Sequence, residues 1–116
     1  KNDAIGISVA DTALAMKVAG IVAFTQSGNT ARRIAKFRPQ APILAVTFDE
    51  RTQRSLAANW GVTAIFSETV NTRENEASLA RNIAMSYGIH KGETIIIVAG
   101  YPTGYGATNA MKIIEV

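Results

Sequence analysis

The chain of 116 residues is long enough for one domain with a substantial core and too short for two of ordinary size. Its hydrophobic fraction of 47% is that of a soluble globular protein, it has no run of about 18 apolar residues to cross a membrane, and its zero cysteines exclude disulfides and thiol catalysis. The net charge of +3, from twelve Lys and Arg against nine acids, lacks the dense basic stripe with interleaved aromatics that marks a nucleic-acid binder.

In chain order, Ile5, Val9, Ala13, Leu14 and Met16 recur at helical spacing over about residues 3–18, with Asp3 as a possible cap. Ile21 to Phe24 is a short buried strand. The polar turn Thr25-Gln26-Ser27-Gly28-Asn29-Thr30 follows, then a helix from about Ala31 to Phe37, stopped by Arg38-Pro39. Ile43 to Thr47 is the second strand. Asp49 leads into a helix from Glu50 to about Asn59, with Gly61 as an αL cap, and Val62 to Phe66 is the third strand. Asn71 or Thr72 can cap a long helix that reaches about Tyr87, with Glu74 and Glu76 favourably placed against its dipole and Gly88 as the stop. Thr94 to Ala99 is the most apolar strand, and Met111 to Val116 is the last.

Strands nearly continuous in Ile and Val, alternating with helices, predict a parallel sheet covered on both faces. Only the ten residues Gly100 to Asn109 separate the last two strands, too few for a helical crossover, so the fifth strand is expected to be antiparallel and at an edge. The expected fold is therefore α/β, a single domain over residues 1–116. It is a three-layer sandwich with a mostly parallel five-stranded sheet in the order 3-2-1-4-5 and helices on both faces. Ligands on such sheets bind outside the carboxyl ends of the strands at the switch point, here between strands one and four.

Both of those strand ends carry informative loops. The Thr25–Thr30 turn joins a strand to a helix, offering hydroxyls from Ser27 and Thr30, close backbone approach at Gly28, and amides of Gly28 to Ala31 at the positive end of the helix dipole. Two roles are open to it, a phosphate site or a plain cap and turn. The loop Gly100-Tyr101-Pro102-Thr103-Gly104-Tyr105-Gly106-Ala107-Thr108-Asn109 brings flexible glycines and two tyrosines that can stack on a sugar or hydrogen-bond it, and it also reads as a simple hairpin. The cluster Arg32, Arg33, Lys36 and Arg38 is either a solvated helix face or an anion attractor. The turn is neither a Walker loop nor a dinucleotide fingerprint, and no GxSxG elbow is present. His90 reads as a surface histidine and Trp60 as a packing residue. The chain carries no evident catalytic machinery.

The ordered set Ile21–Arg32, Phe37-Arg38-Pro39, Ile43–Thr47, Trp60-Gly61-Val62, His90-Lys91-Gly92-Glu93, Gly100-Tyr101-Pro102-Thr103-Gly104, Thr108-Asn109 and Met111-Lys112-Ile113 resembles the C-terminal domain of pyruvate kinase. That resemblance covers essentially the whole chain. It implies a regulatory and subunit-contact domain, cytoplasmic and part of a homotetramer, from an enzyme making pyruvate and ATP from phosphoenolpyruvate and ADP. The resemblance also implies no cofactor in this domain, with Mg and K held only by a catalytic barrel outside it, and no kinase activity in this segment alone. Its expected partners are that barrel, further copies of itself with strand 111–116 as a candidate contact, and a phosphorylated sugar such as fructose 1,6-bisphosphate. Neither nucleic acid nor membrane is expected. The effector residues it implies are Thr25, Gln26, Ser27, Gly28, Asn29, Thr30, Arg32, Arg81, Tyr101, Gly104, Tyr105, Gly106 and Thr108. Where some members place an arginine for a second phosphate, this chain has Ala80, with Arg81 one step around the helix. A monophosphate such as ribose 5-phosphate, glucose 6-phosphate or AMP therefore competes as effector, and so does a purely structural oligomerisation role. The first helix opens almost at Lys1, which suits a segment of a longer chain.

Overall fold

Three strands that are apolar except for Thr47 and Thr94 at their ends form the centre of the molecule. The computed structural model describes residues 3–99 and 110–116 and orders its elements α1 (Asp3–Met16), β1 (Gly20–Phe24), α2 (Asn29–Lys36), β2 (Ile43–Thr47), α3 (Glu50–Leu56), β3 (Val62–Phe66), α4 (Glu76–Ser86), β4 (Thr94–Ala99) and β5 (Ala110–Glu115). The five strands form one sheet in the order β3-β2-β1-β4-β5. All neighbours are parallel except β4 and β5, which are antiparallel, as the short connection requires.

Strand alternation divides the core into two layers. Ile21, Ala23, Ile43, Ile96 and Val98 face α1 and α2, meeting Val9, Ala13 and Ile34. Ala45 joins the same side through Ala31 and Leu56, so α3 packs there too. Val22, Phe24, Leu44, Val46, Ile95 and Ile97 face the other way, onto Ala80 and Ala84 of α4. Burying each large aliphatic side chain contributes about 1.5–3 kcal/mol. Ile21, Val22, Ile95, Ile96, Ile97 and Val98 are all essentially inaccessible. Gly6 lets α1 lie close on α2: a Cβ there would stand 2.8 Å from Phe37 Cδ2 and 2.9 Å from the Arg33 carbonyl.

Three helix boundaries differ from the sequence expectation, each for a local reason. α2 begins at Asn29 rather than Ala31, because Gly28 takes φ +91° and serves as the cap with no side-chain hydrogen bond. α3 ends at Leu56 rather than near Asn59, since Ala58 and Asn59 donate to the Ser55 and Leu56 carbonyls and tighten the last turn. α4 begins at Glu76 rather than Asn71 or Thr72. A reciprocal box precedes it, in which the Thr72 amide donates to Asn75 Oδ1 at 2.6 Å and the Asn75 amide to Thr72 Oγ1 at 3.1 Å. The stop at Gly88 is as expected, with φ +92° and the Ile89 amide donating to the Ala84 carbonyl.

Glu76 does more than sit at a dipole. Its carboxylate is 1% exposed and lies 2.5 Å from Lys112 Nζ, so an ion pair ties the start of α4 to β5. The lysine is half exposed, which places the pair between a buried bridge, where removing one partner costs about 3–5 kcal/mol, and a surface pair worth about 0–1 kcal/mol. Lys112→Met, which leaves the carboxylate buried with one cation fewer, is expected to lower unfolding free energy by about 1–3 kcal/mol in urea denaturation. A midpoint equal to that of the wild type would show that the pair contributes nothing net.

Candidate functional site

β1 lies between β2 and β4, and its last residue, Phe24, is the register partner of Ala99. The turn after β1 thus starts beside the last residue of β4, at the switch point. Tyr101, Gly104, Tyr105, Gly106 and Thr108 lie outside the described residues, so the site is built here from its β1 half.

The Thr25 amide extends the ladder by one bond, donating to the Val46 carbonyl at 2.9 Å. The chain then reverses within three residues. The Gly28 amide folds back onto Thr25 Oγ1 at 2.9 Å, and the Asn29 amide onto Ser27 Oγ at 3.3 Å. The helix proper starts when the Arg32 amide donates to the Gly28 carbonyl at 3.0 Å. Of the amides expected to face a ligand, those of Gly28 and Asn29 are therefore engaged by hydroxyls of the turn itself. Ser27 Oγ accepts from Asn29, so its own proton remains to be donated. Thr25, Gly28 and Thr30 are buried, whereas Gln26, Ser27 and Asn29 are exposed.

α3 braces the other side of this turn. Thr52 Oγ1 lies 2.9 Å from the Gln26 carbonyl and 3.2 Å from Asp49 Oδ2, two acceptors sharing one hydroxyl proton. Arg32 spans the gap, Nη1 donating to the Ser27 carbonyl at 3.2 Å and Nη2 to Ser55 Oγ at 2.6 Å. Asp49 caps α3 by accepting from the Arg51 amide at 3.0 Å. Thr52 and Ser55 escape sequence reasoning because they meet the turn only through tertiary packing. Their sole local signal, a threonine three residues after a capping aspartate, reads as part of the cap.

The basic cluster does not converge on the turn. Arg32 is directed to α3, Arg33 and Lys36 occupy the last turn of α2 where cations complement the dipole, and Arg38 stacks at 5.1 Å on Trp60. Trp60 itself is 76% exposed rather than packed in a core. His90 is exposed, as read from the sequence. Arg81 lies away from the turn. Its Nε donates to the Glu115 carbonyl at 3.0 Å, and Glu115 pairs with Thr94 at the start of β4, so the guanidinium serves the end of the sheet opposite the turn. Among the described residues no three His, Asp or Glu side chains gather as metal ligands, and no helix is long and apolar enough to cross a membrane.

A cavity of about 10 Å³, the size of one water, lies behind the turn between Thr25, Gln26, Thr47, Thr69 and Asn71. A much wider groove of about 560 Å³ runs along α3, past Gln26, Phe48, Arg51, Arg54 and Phe66.

This arrangement of turn and sheet has known relatives. The family model described as the pyruvate kinase alpha/beta domain matches residues 3–114. The chain belongs to that family. It is 46% identical over 113 residues to a pyruvate kinase of Lactococcus lactis, a match covering 97% of this chain and 22% of that protein. To a pyruvate kinase of Geobacillus stearothermophilus it is 47% identical over 114 residues, covering 97% of this chain and 19% of the relative. The solved structure of Cryptosporidium parvum pyruvate kinase in complex with ADP superposes with a TM-score of 0.85 at 31% identity, over 97% of this chain and 23% of that one. The chain spans about a fifth of the length of the curated relatives it matches. Within the pyruvate kinase alpha/beta domain, the α2 entry turn thus sits at the carboxyl edge of the sheet, next to the switch between β1 and β4.

The turn's conformation makes a direct prediction. A Cβ on Gly28 would combine φ +91° with contacts of 2.9 Å to Arg32 Nη1 and 3.2 Å to Leu56 Cδ2. Gly28→Ala is expected to cost about 1–2 kcal/mol from the left-handed backbone alone, read as a lower thermal midpoint. It is also expected to displace the Arg32 guanidinium. An alanine variant as stable as the wild type would mean that the turn relaxes to another conformation.

Proposed function

We propose that this domain is the effector-binding and subunit-contact part of a pyruvate kinase, and that its ligand is a phosphorylated sugar held at the Thr25–Thr30 turn. The phosphoryl transfer between phosphoenolpyruvate and ADP belongs, in this reading, to a catalytic barrel outside these 116 residues. The observation that supports the ligand most is the helix-entry turn at the switch point. Gly28 in the left-handed region opens α2 without a side-chain cap, so the positive end of the helix dipole and the exposed Ser27 hydroxyl lie where a phosphate can approach.

Charge favours a monophosphate over a bisphosphate. Arg81 is engaged at the opposite end of the sheet, Ala80 is buried in the core, and residues 100–109 contain neither Lys nor Arg. A second phosphate would thus lack the charged hydrogen bond worth about 1.5–3 kcal/mol. Titration of the isotope-labelled chain with ribose 5-phosphate, glucose 6-phosphate, AMP and fructose 1,6-bisphosphate, followed by amide shifts, tests both points. Saturable shifts at Ser27 to Ala31 are expected, with the bisphosphate no tighter than the monophosphates. Ser27→Ala is expected to weaken binding by about 1.5–3 kcal/mol. Silence from all four at millimolar levels would overturn the effector reading, and a much tighter bisphosphate would overturn the ranking.

A second role is supported by β5. It pairs with β4 on one side and, among the described residues, with no strand on the other, and Ile113 on it is 43% exposed. An open apolar edge of this kind suits pairing across a two-fold axis. Concentration-dependent dimerisation in sedimentation is expected, abolished by Ile113→Lys. A strictly monomeric chain at high concentration would assign assembly to other parts of the parent enzyme.

A further inference from the structure

We infer that α3 is a positioning element for the phosphate turn, acting through the buried hydroxyl of Thr52 and, on the rim, through the Arg32–Ser55 contact. The inference rests on the phosphate reading of the turn given above and names residues outside that turn which set its geometry.

The argument is one of peptide planes. A trans peptide points its carbonyl and the following N–H in opposite directions. The Gln26 carbonyl is drawn toward α3 by Thr52 Oγ1 at 2.9 Å, which turns the Ser27 amide away from α3. The next carbonyl, of Ser27, is drawn to the Arg32 guanidinium, itself anchored on Ser55 at 2.6 Å, which turns the Gly28 amide away from α3 and onto Thr25 Oγ1. Two successive carbonyl dipoles, which would repel an anion, are thereby held on the α3 side, and their amides on the other. Thr52 is only 8% exposed, and its hydroxyl is also in contact with the Asp49 carboxylate that caps α3, so the donor has little freedom to leave. Arg32 in this arrangement is a brace on the turn rather than a ligand to the phosphate.

The clamp predicts a specific pattern of variants. Thr52→Val preserves shape and removes the donor, releasing the Gln26–Ser27 peptide. Thr52→Ser keeps the hydroxyl. Ser55→Ala, at an exposed position, loosens Arg32 without touching the core. With glucose 6-phosphate as the probe, Thr52→Val is expected to bind about tenfold more weakly, equivalent to about 1.4 kcal/mol. Its Gly28 amide is expected to exchange with solvent about tenfold faster, as a local opening of the turn. Thr52→Ser restores both, and Ser55→Ala shifts both in the direction of Thr52→Val. A purely structural role for Thr52 would lower global stability and speed exchange throughout the core, while leaving Gly28 no faster than its neighbours. Wild-type affinity in Thr52→Val with unchanged Gly28 exchange overturns the clamp. Should Thr52→Val fail to fold, an unchanged Ser55→Ala overturns it instead. If the wild-type chain does not respond to glucose 6-phosphate, the effector reading fails separately, and the exchange of Gly28 in the same variants still decides whether α3 sets the turn.

Discussion

β1 has a strand on each side, and its ladder is continued past Phe24 by the bond from the Thr25 amide to the Val46 carbonyl. The rest of the site follows from that constraint. The chain cannot continue straight without losing backbone partners, and α2 must reach back over Ile21, Ala23 and Ile43 to bury Ile34. Reversal within three residues requires one left-handed position, and Gly28 supplies it. The first amides of a helix have no carbonyl of a preceding turn to meet. Those of Gly28 and Asn29 are met instead by the hydroxyls of Thr25 and Ser27, at the positive end of the α2 dipole.

The two faces of the sheet divide the work. On the α1, α2 and α3 side, small residues allow close approach, and the polar contacts between α3 and the turn are carried by Thr52, Ser55 and Arg32. On the other side, among the described residues, α4 is the helix that covers the sheet. It is joined to β5 by the Glu76–Lys112 pair near one end of the sheet and by the Arg81–Glu115 contact near the other. Both of those links bind a helix to the edge strand. The turn is thus braced on one face of the sheet and the edge strand tied down on the other.

The dispersal of the basic residues has the same origin. On a helical wheel Arg32, Arg33 and Lys36 form a cluster, but packing assigns each a different neighbour: the turn and Ser55, the dipole end of α2, and the Phe37 ring at 5.7 Å. Arg38 has its own partner in Trp60. Of the cluster, Arg32 meets the turn at the Ser27 carbonyl, and the dipoles of the helix-entry amides add to its positive character. Dipoles of that kind recognise a phosphate group and make few demands on the rest of the ligand.

Periodicity and spacing determined a great deal by themselves. Short runs of Ile and Val bounded by turn residues read as strands buried on both sides, and ten residues are too few for a helical crossover. The strand order, the antiparallel fifth strand and the position of the turn at the switch point were thus all legible in the chain. Local hydrogen-bond chemistry was partly legible: Gly28 and the Thr72–Asn75 box displaced two helix starts, because caps compete with neighbouring residues over distances of a few positions. Only the tertiary structure decided where the long side chains went. Arg32 to Ser55, Arg81 to Glu115, Glu76 to Lys112 and Thr52 to Gln26 join residues 23 or more positions apart. A flexible or polar side chain takes whichever partner the packed backbone brings within reach. That choice is set by the three-dimensional neighbourhood and leaves no periodic trace in the sequence.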